Sequence, residues 1–543
     1  MATTAPERVE QDPSGRPPGG RPVDLVVFGT AAGLALVFLL YGAIDNEGFG
    51  ETGDTVLGWI TANFGWFFVL TSGGFLLFSA FLAVTRYGNI KLGPDDSSPE
   101  FSTFSWVSMM FATGMGIGQM FYGVAEPLTH LNTPPMGMAE PGSEEAAHLA
   151  MEYTFFHWGF HPWSMYAVIG LAIAYFAYRK GGGNLISAAF RPLLGNRVDG
   201  GTGRAIDVLA ILATLFGSAT SLGLGALQIT GGLANVFGND GYGTTAAAIV
   251  IGVLTLCFVI SAVSGIDKGI KWLSNANAVA AGLLVFFLFV VGPTVFIMGT
   301  FTESIGGYLT HLPTMSFRTG VFGGSEWLNG WTIFYWAWWV SWTPFVGMFI
   351  ARISKGRTIR QFVVFVIAIP SLVSFVWFSI LGGSAFDLQL TQGEDMKALV
   401  DAGLETTLFE TLRSYPLATV TVVLAVFLIA IFFITGADSA SIVMGMLSQR
   451  GDEEPQRGLV IFWGVATGAI AVVLLFAGGL SALQTGVIII GFPFLIVLIG
   501  LCVSLWKSLR QETFESTLRG PMRRHLREHP TDRPVVEPAR TDG

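Results

Sequence analysis

The sequence predicts an all-α integral membrane fold of twelve transmembrane helices, and three observations carry that prediction. Its 543 residues are 52% hydrophobic and only 12% charged, with a mean hydropathy of +0.59, values that belong to polytopic membrane proteins. Twelve segments each supply the roughly 20 apolar residues that one helix needs to cross a bilayer. The Lys and Arg residues fall almost wholly between alternate pairs of those segments.

Span 1 (23–44) is long and has no small-residue cleavage site behind it, so it reads as a true span and not as a signal peptide. Span 2 (64–85) ends on Arg86 and Lys91. Span 3 (104–124) contains Gly114-Met115-Gly116-Ile117-Gly118, and span 4 (155–178) closes on Arg179-Lys180. Spans 5 (207–237), 6 (244–264) and 7 (273–299) precede a tryptophan-rich span 8 (327–351). Spans 9 (361–384), 10 (417–448), 11 (458–477) and 12 (482–506) complete the set. The loops at 125–153 and 385–416 are long enough to carry short helices that cap an entrance. Residues 1–22 are Pro/Gly/Arg-rich and read as a disordered tail. Residues 507–543 form a basic tail with a short helix expected over Glu512–His525.

Charge tests this topology. With the amino terminus inside, 26 of the 29 Lys and Arg lie in cytoplasmic segments, leaving Arg318, Lys397 and Arg413 outside. That is the positive-inside rule, and it places a multi-pass protein in the cell membrane with both termini cytoplasmic. The net charge of −9 reflects acids crowded in the outer loops, such as Glu140, Glu144, Glu145, Glu394 and Asp395. No basic domain invites nucleic acid, so the partners expected are a small molecule and the lipid bilayer. Cys257 and Cys502 both lie in apolar spans, without metal spacing or a disulfide framework. There is no P-loop and no phosphorylatable Asp-Lys-Thr-Gly run to couple ATP, and no arginine ladder for voltage sensing.

Spans 3 and 8 are unusual in a corresponding way. Span 3 has three alternating glycines, which favour unwinding or close helix crossing. Span 8 reads Trp336-Ala337-Trp338-Trp339-Val340-Ser341-Trp342-Thr343-Pro344-Phe345. The two are five spans apart, so they would begin two five-helix halves, and an odd number of spans inverts one half against the other. Interrupted helices at matching positions of inverted repeats point to a substrate site at mid-membrane. Trp338, Trp342, Phe345 and Phe349 recur at i, i+4, i+7 and i+11. Such a stack of ring faces suits a cation that cannot donate hydrogen bonds, a quaternary ammonium above all. An interfacial tryptophan belt is the plainer reading, and it suits Trp327 and Trp331.

Span 4 begins with His157-Trp158 and continues through His161-Pro162-Trp163 to Tyr166; Trp163 and Tyr166 share a face. With Trp339 these rings can build a box of about four aromatics. His157 and His161, at i and i+4, fit a structural role, a metal pair or a proton relay. Asp438 in span 10 is an acid well inside an apolar segment, serving either function or helix stitching beside Ser439 and Ser441. Thr435, and the pair Thr214 and Ser218 in span 5, offer hydroxyls for an ion or for bonds within their own helices.

The runs Gly114–Leu128, Phe156–Tyr166, Leu215–Gln228, Trp336–Arg360 and Ile431–Ser439 resemble the betaine/choline/carnitine transporter family. The resemblance extends over all twelve spans and is most specific in span 8. It implies a LeuT-like core of two inverted five-helix repeats (spans 3–7 and 8–12), a homotrimer, and movement of trimethylammonium-type osmolytes by alternating access. It further implies a central box of Trp158, Trp163, Tyr166 and Trp339, with Trp338, Trp342 and Phe349 along the pathway and the Met115–Gly118 backbone, Gly116 and Gly118 included, facing the substrate. One sodium site would use the carbonyls of Ala112, Met115 and Phe432 with Thr435; the other would use Thr214, Ser218 and the ring of Phe345.

Two residues depart from the pattern of the sodium-coupled members: Gly436 stands where they often have Ser, and Gln119 occupies a position often apolar. Gly118 points toward sodium, since proton-coupled choline carriers tend to have aspartate there. The expectation is therefore a sodium symporter that imports glycine betaine, with sodium as coupling ion, no cofactor and no enzymatic activity. The rivals are a proton-coupled or exchange carrier for choline, carnitine or ectoine, and a non-transporting osmosensor. A membrane enzyme is the weakest alternative, for want of any nucleophile–base or metal constellation.

Overall fold

The computed structural model describes residues 21–114, 116–238, 242–264 and 267–512. The tails expected at 1–22 and 507–543, with the helix expected at 512–525, thus lie almost wholly outside the described residues. Among the described residues there is no strand beyond one isolated bridge between Lys91 and Thr358.

Helices form at every predicted span. Span 1 is α1 (Leu25–Ile44), and span 2 lies in α2 (Asn46–Val84), which starts well before the apolar run. Span 3 is split into α3 (Thr103–Gly114) and α4 (Ile117–Asn132), so the glycine run does interrupt the helix. Span 4 is split as well, at Gly159, into α5 (Glu144–Trp158) and α6 (Phe160–Ala174). A Cβ at Gly159 would stand 2.5 Å from the Phe155 carbonyl oxygen and 2.9 Å from the Phe375 ring, so the turn leaves no room for a side chain. Spans 5 and 6 are α7 (Gly201–Phe237) and α8 (Thr244–Ser264).

Span 7 differs from expectation. Its helix, α9 (Asp267–Val291), stops at Gly292-Pro293, and a separate α10 (Thr294–Ser316) follows. Apolar residues flank the break closely on both sides, Phe289–Val291 before it and Val295–Met298 after it, and hide it in the sequence. Span 8 also departs, in the other direction: α11 (Phe334–Ile353) continues through Pro344 after a π turn at Asn329–Ile333. Proline deprives the carbonyl four residues earlier of its partner, and here the Thr343 hydroxyl donates to that carbonyl, Val340 O, at 2.6 Å. The expected interruption of span 8 is therefore repaired locally. Spans 9 and 10 are α12 (Ile359–Leu390) and α13 (Ala418–Ser448). Spans 11 and 12 form α14 (Arg457–Leu509), bent at Gly478-Gly479, where Gly479 has φ 59°. The loop at 385–416 carries two short helices, Met396–Ala402 and Thr407–Arg413, as expected.

Packing repeats when each span is exchanged for the one five further on. Spans 4 and 8 pack together, as do 9 and 3; spans 5 and 12 do so, as do 10 and 7. Spans 5 and 10 pack on each other. That exchange, with an odd number of spans per half, is the inverted repeat. Spans 4 and 5 are almost entirely enclosed, while α1, α8 and α9 present apolar stripes such as Ile249, Val253, Leu256 and Ile260 outward. An apolar outer face around a tightly packed centre is the pattern of a bundle solvated by lipid.

The basic end of the bundle is tied together by Arg179. It donates to both oxygens of Glu512, at 3.0 and 2.7 Å, and to Gly93 O and Asp95 at 3.0 Å. Burial works to raise the Glu512 carboxyl, but hydrogen bonds from Arg179, Lys180 and Tyr175 outweigh it and bring it down to about 2. The end of span 12 is thereby fastened to the end of span 4 and to the loop after span 2.

Candidate functional site

The break in span 3, the break in span 4 and the tryptophan run of span 8 meet in one place. Trp158, the last residue of α5, lies edge-on to Trp339 with centroids 4.8 Å apart. Tyr166 is 6.4 Å from Trp339, and Trp163 is 5.3 Å from Tyr166. The four rings named from the sequence thus form a continuous chain, and each is at least nine-tenths buried. Trp338 stacks on Trp339 at 5.1 Å and 10°. Farther toward the basic end the same helix face opens: Trp342 and Phe345 are half-buried and touch at 5.6 Å, and Phe349 is exposed.

Gly118 ties span 3 to this cluster. A Cβ built there would sit 2.9 Å from the ring tips of both Trp158 and Trp338. Both neighbours are wide, packed rings that cannot swing aside cheaply. We expect Gly118→Ala to cost about 1–3 kcal/mol as an overpacking change, read as a lower melting temperature together with altered intrinsic tryptophan fluorescence.

The same close approach brings a helix end to the rings. α4 starts at Ile117, capped by Gly116 without any side-chain hydrogen bond. Its first intrahelical bond is donated by Met120 to Gly116 O. The N–H groups of Ile117, Gly118 and Gln119 therefore lack intrahelical acceptors, and they carry the positive end of the helix dipole. On the other side of the break, the last carbonyls of α3 form a negative end. A Cβ at Gly116 or at Gly436 would meet nothing within 4 Å, so both glycines border open space.

The other named residues are spread around this centre. Met115 lies outside the described residues, and Ala112 is in the last turn of α3. Thr435 and Phe432 are half-buried on α13, where the Thr435 hydroxyl donates to Ile431 O at 2.9 Å. The Thr214 hydroxyl donates to Ala210 O at 2.9 Å. Thr214, Gly217 and Ser218 share one face of α7, and Gly217 packs against Ser341 and Trp342, one turn from Phe345. Asp438 is half-buried three residues beyond Thr435.

Glu126 is a buried acid that the sequence reading passed over. With span 3 ended at 124, it fell in a presumed loop; α4 instead runs to Asn132 and encloses it fully. Its Oε1 is 2.7 Å from Nδ1 of His157, a carboxylate partner that lies 31 residues away in sequence. The histidine pair is also divided: His161 stacks on Trp336 at 5.3 Å and neither of its ring nitrogens has a partner. Glu126, His130 and His157 offer ligand atoms within 4.8 Å of one another. Two ligands of one tetrahedral zinc, each about 2.0 Å from the ion, would stand about 3.3 Å apart; the 2.7 Å contact is a hydrogen bond instead. Trp327 and Trp331, read as belt residues, pack on His130 at 5.0 and 4.5 Å.

Comparison with known proteins adds the following. The model of the betaine/carnitine/choline family transporters matches residues 26–514. The chain is 46% identical to the glycine betaine transporter OpuD of Bacillus subtilis over 492 residues, 90% of this chain and 95% of that protein. It is 41% identical to the betaine/ectoine transporter LcoP of Corynebacterium glutamicum over 495 residues, 90% and 78% of the two chains. A glycine betaine/proline/choline/ectoine transporter of Vibrio parahaemolyticus is 44% identical over 499 residues, 90% and 87%.

Proposed function

The chain belongs to the betaine/carnitine/choline transporter family, and from that premise we propose that it imports glycine betaine by sodium symport and alternating access. The observation that carries the substrate is the aromatic chain Trp158–Trp339–Tyr166–Trp163 set directly against the uncapped start of α4. A quaternary ammonium takes the ring faces, at about 0.5–2 kcal/mol per contact. A carboxylate on the same molecule takes the N–H groups of Ile117, Gly118 and Gln119, which have no acceptor within their own helix, as anions do at helix N-termini. Glycine betaine carries both groups at short range, whereas choline carries only the first.

The proposal extends to the setting. The distribution of Lys and Arg supports a cytoplasmic position for both termini in the cell membrane. The family resemblance supports a homotrimer. Sodium would sit at the negative end of α3 with Thr435, and beside Thr214 and Ser218, drawing on hydroxyl and carbonyl oxygen.

Counterflow into liposomes loaded with unlabelled glycine betaine tests the substrate. Labelled glycine betaine is expected to accumulate, and a tenfold excess of unlabelled choline is expected to leave that accumulation largely intact. Counterflow of choline or ectoine without glycine betaine would replace the substrate; counterflow of none would favour the osmosensor.

A further inference from the structure

Indole N–H groups around the site fall into two sets. Trp327, Trp336, Trp338 and Trp342 have buried Nε1 atoms without any hydrogen-bond partner. Trp158 and Trp339, the two indoles of the aromatic chain that meet edge-on, are both anchored. Trp158 donates to Oε2 of Glu126 at 2.7 Å, and Trp339 donates to the backbone carbonyl of His157 at 2.9 Å. Indole pairing is not confined to the box, since Trp377 donates to Gln119 O at 3.0 Å; what sets Trp158 apart is that its acceptor is a fully buried carboxylate.

Both ties lead to one carboxylate. Oε2 of Glu126 also accepts from the Tyr335 hydroxyl at 2.5 Å, and Oε1 is 2.7 Å from His157 Nδ1. The far nitrogen of that histidine is 3.0 Å from the Thr332 hydroxyl. Glu126 therefore holds Trp158 directly, and it holds the ring of the residue whose backbone fixes Trp339. His130 stands farther off, 3.4 Å from Oε1. Spans 3, 4 and 8 are joined through this single side chain.

A ring attracts a cation with its face and repels it with its edge, and the torsion that turns an indole about its stem is broad. A charge-assisted bond from the N–H to a carboxylate is short and strong, so it fixes the face toward the substrate; it also shifts electron density into the ring. We propose that Glu126 is the positioning residue of the aromatic box, acting on the ammonium through Trp158 and, by way of His157, through Trp339. This rests on the reading of the box as the ammonium site.

The test is a double-mutant cycle on Glu126→Gln and Trp158→Phe in purified, reconstituted protein, with KM and kcat for labelled glycine betaine read separately. Glutamine keeps the size but removes the charge and leaves one oxygen to serve donors that two now share. Phenylalanine keeps a ring face and removes the N–H. Each single variant is expected to raise KM about tenfold with kcat within twofold, and the double variant is expected to be no worse than about the poorer single, because the shared link is already gone. Multiplying effects, or a Glu126→Gln KM equal to wild type beside a weakened Trp158→Phe, would overturn the positioning role and leave the box standing. A Trp158→Phe variant with wild-type KM would likewise overturn the positioning role, since the ring face is kept, whereas a Trp158→Ala variant with wild-type KM would overturn the box itself. Glu126→Asp, which retains the carboxylate on a shorter stem, is run through the same cycle should the glutamine variant fail to fold, with an intermediate KM as the expected result.

Discussion

Replacing Trp339 with alanine is expected to weaken glycine betaine binding by at least thirtyfold. One cation–π wall contributes up to about 2 kcal/mol when desolvated, and about 2 kcal/mol corresponds to roughly thirtyfold in affinity. Trp339 does more than supply a face. It stacks on Trp338 and on Tyr335, at 5.1 and 5.9 Å, and meets Trp158 edge-on at 4.8 Å. Its loss opens space into which those rings relax, so alanine removes one wall and displaces the others. Trp339→Phe should fall between, since it keeps a face and loses the bond to His157 O. Trp336→Phe is the matched control: that indole lies on the same helix, stacks on His161 and has no N–H partner to lose. Isothermal titration of purified protein reads all three. A Trp339→Ala dissociation constant within twofold of wild type would remove the box from the substrate site.

The sequence made the rings legible because their spacing is local. Trp163 and Tyr166 share a helix face at i, i+3, and the crowding of span 8 is visible at a glance. That Trp158 and Trp339 meet is not local; it follows from spans 4 and 8 packing together, which the family resemblance implies and spacing alone does not. The glycine run of span 3 was readable as a break because three alternating glycines leave little to hold a helix. Pro344 misled for the opposite reason: the rule about proline counts the missing backbone bond, while the Thr343 hydroxyl that repairs it is a neighbour's side-chain choice. Span 7 misled because hydropathy is blind to the Gly292-Pro293 turn when apolar residues continue past it.

Glu126 was missed by two residues of boundary. A charged side chain inside a membrane bundle is a functional candidate by default, but with span 3 bounded at 124 that rule selects Asp438 and not Glu126. The signal was present: Glu126 follows nine apolar, glycine or amide positions of an unbroken helical run and precedes a proline that the helix in fact accommodates. Its partners, His157, Trp158 and Tyr335, lie more than 30 residues away in sequence, so only the fold could assemble them.

Replacing an inward sodium gradient with an inward potassium gradient is expected to reduce accumulation of labelled glycine betaine in proteoliposomes to simple equilibration. The last turn of α3 ends in carbonyls without intrahelical partners, equivalent to about half a negative charge, and open space borders Gly116 and Gly436. Thr435 turns its proton back to Ile431 O, which leaves the lone pairs of its oxygen free to meet a cation. One hydroxyl ligand to a charged group is worth about 1.5–3 kcal/mol, so Thr435→Val should raise the sodium concentration for half-maximal uptake by about tenfold or more. Gly436 supplies the converse experiment. A Cβ there meets nothing within 4 Å, so Gly436→Ser adds a hydroxyl without a clash and should lower the sodium requirement. If uptake is equal under sodium and potassium, and neither substitution changes its ion dependence, coupling passes to protons or to exchange. The aromatic box would be untouched by that result, since ring faces bind the ammonium whatever ion drives the cycle.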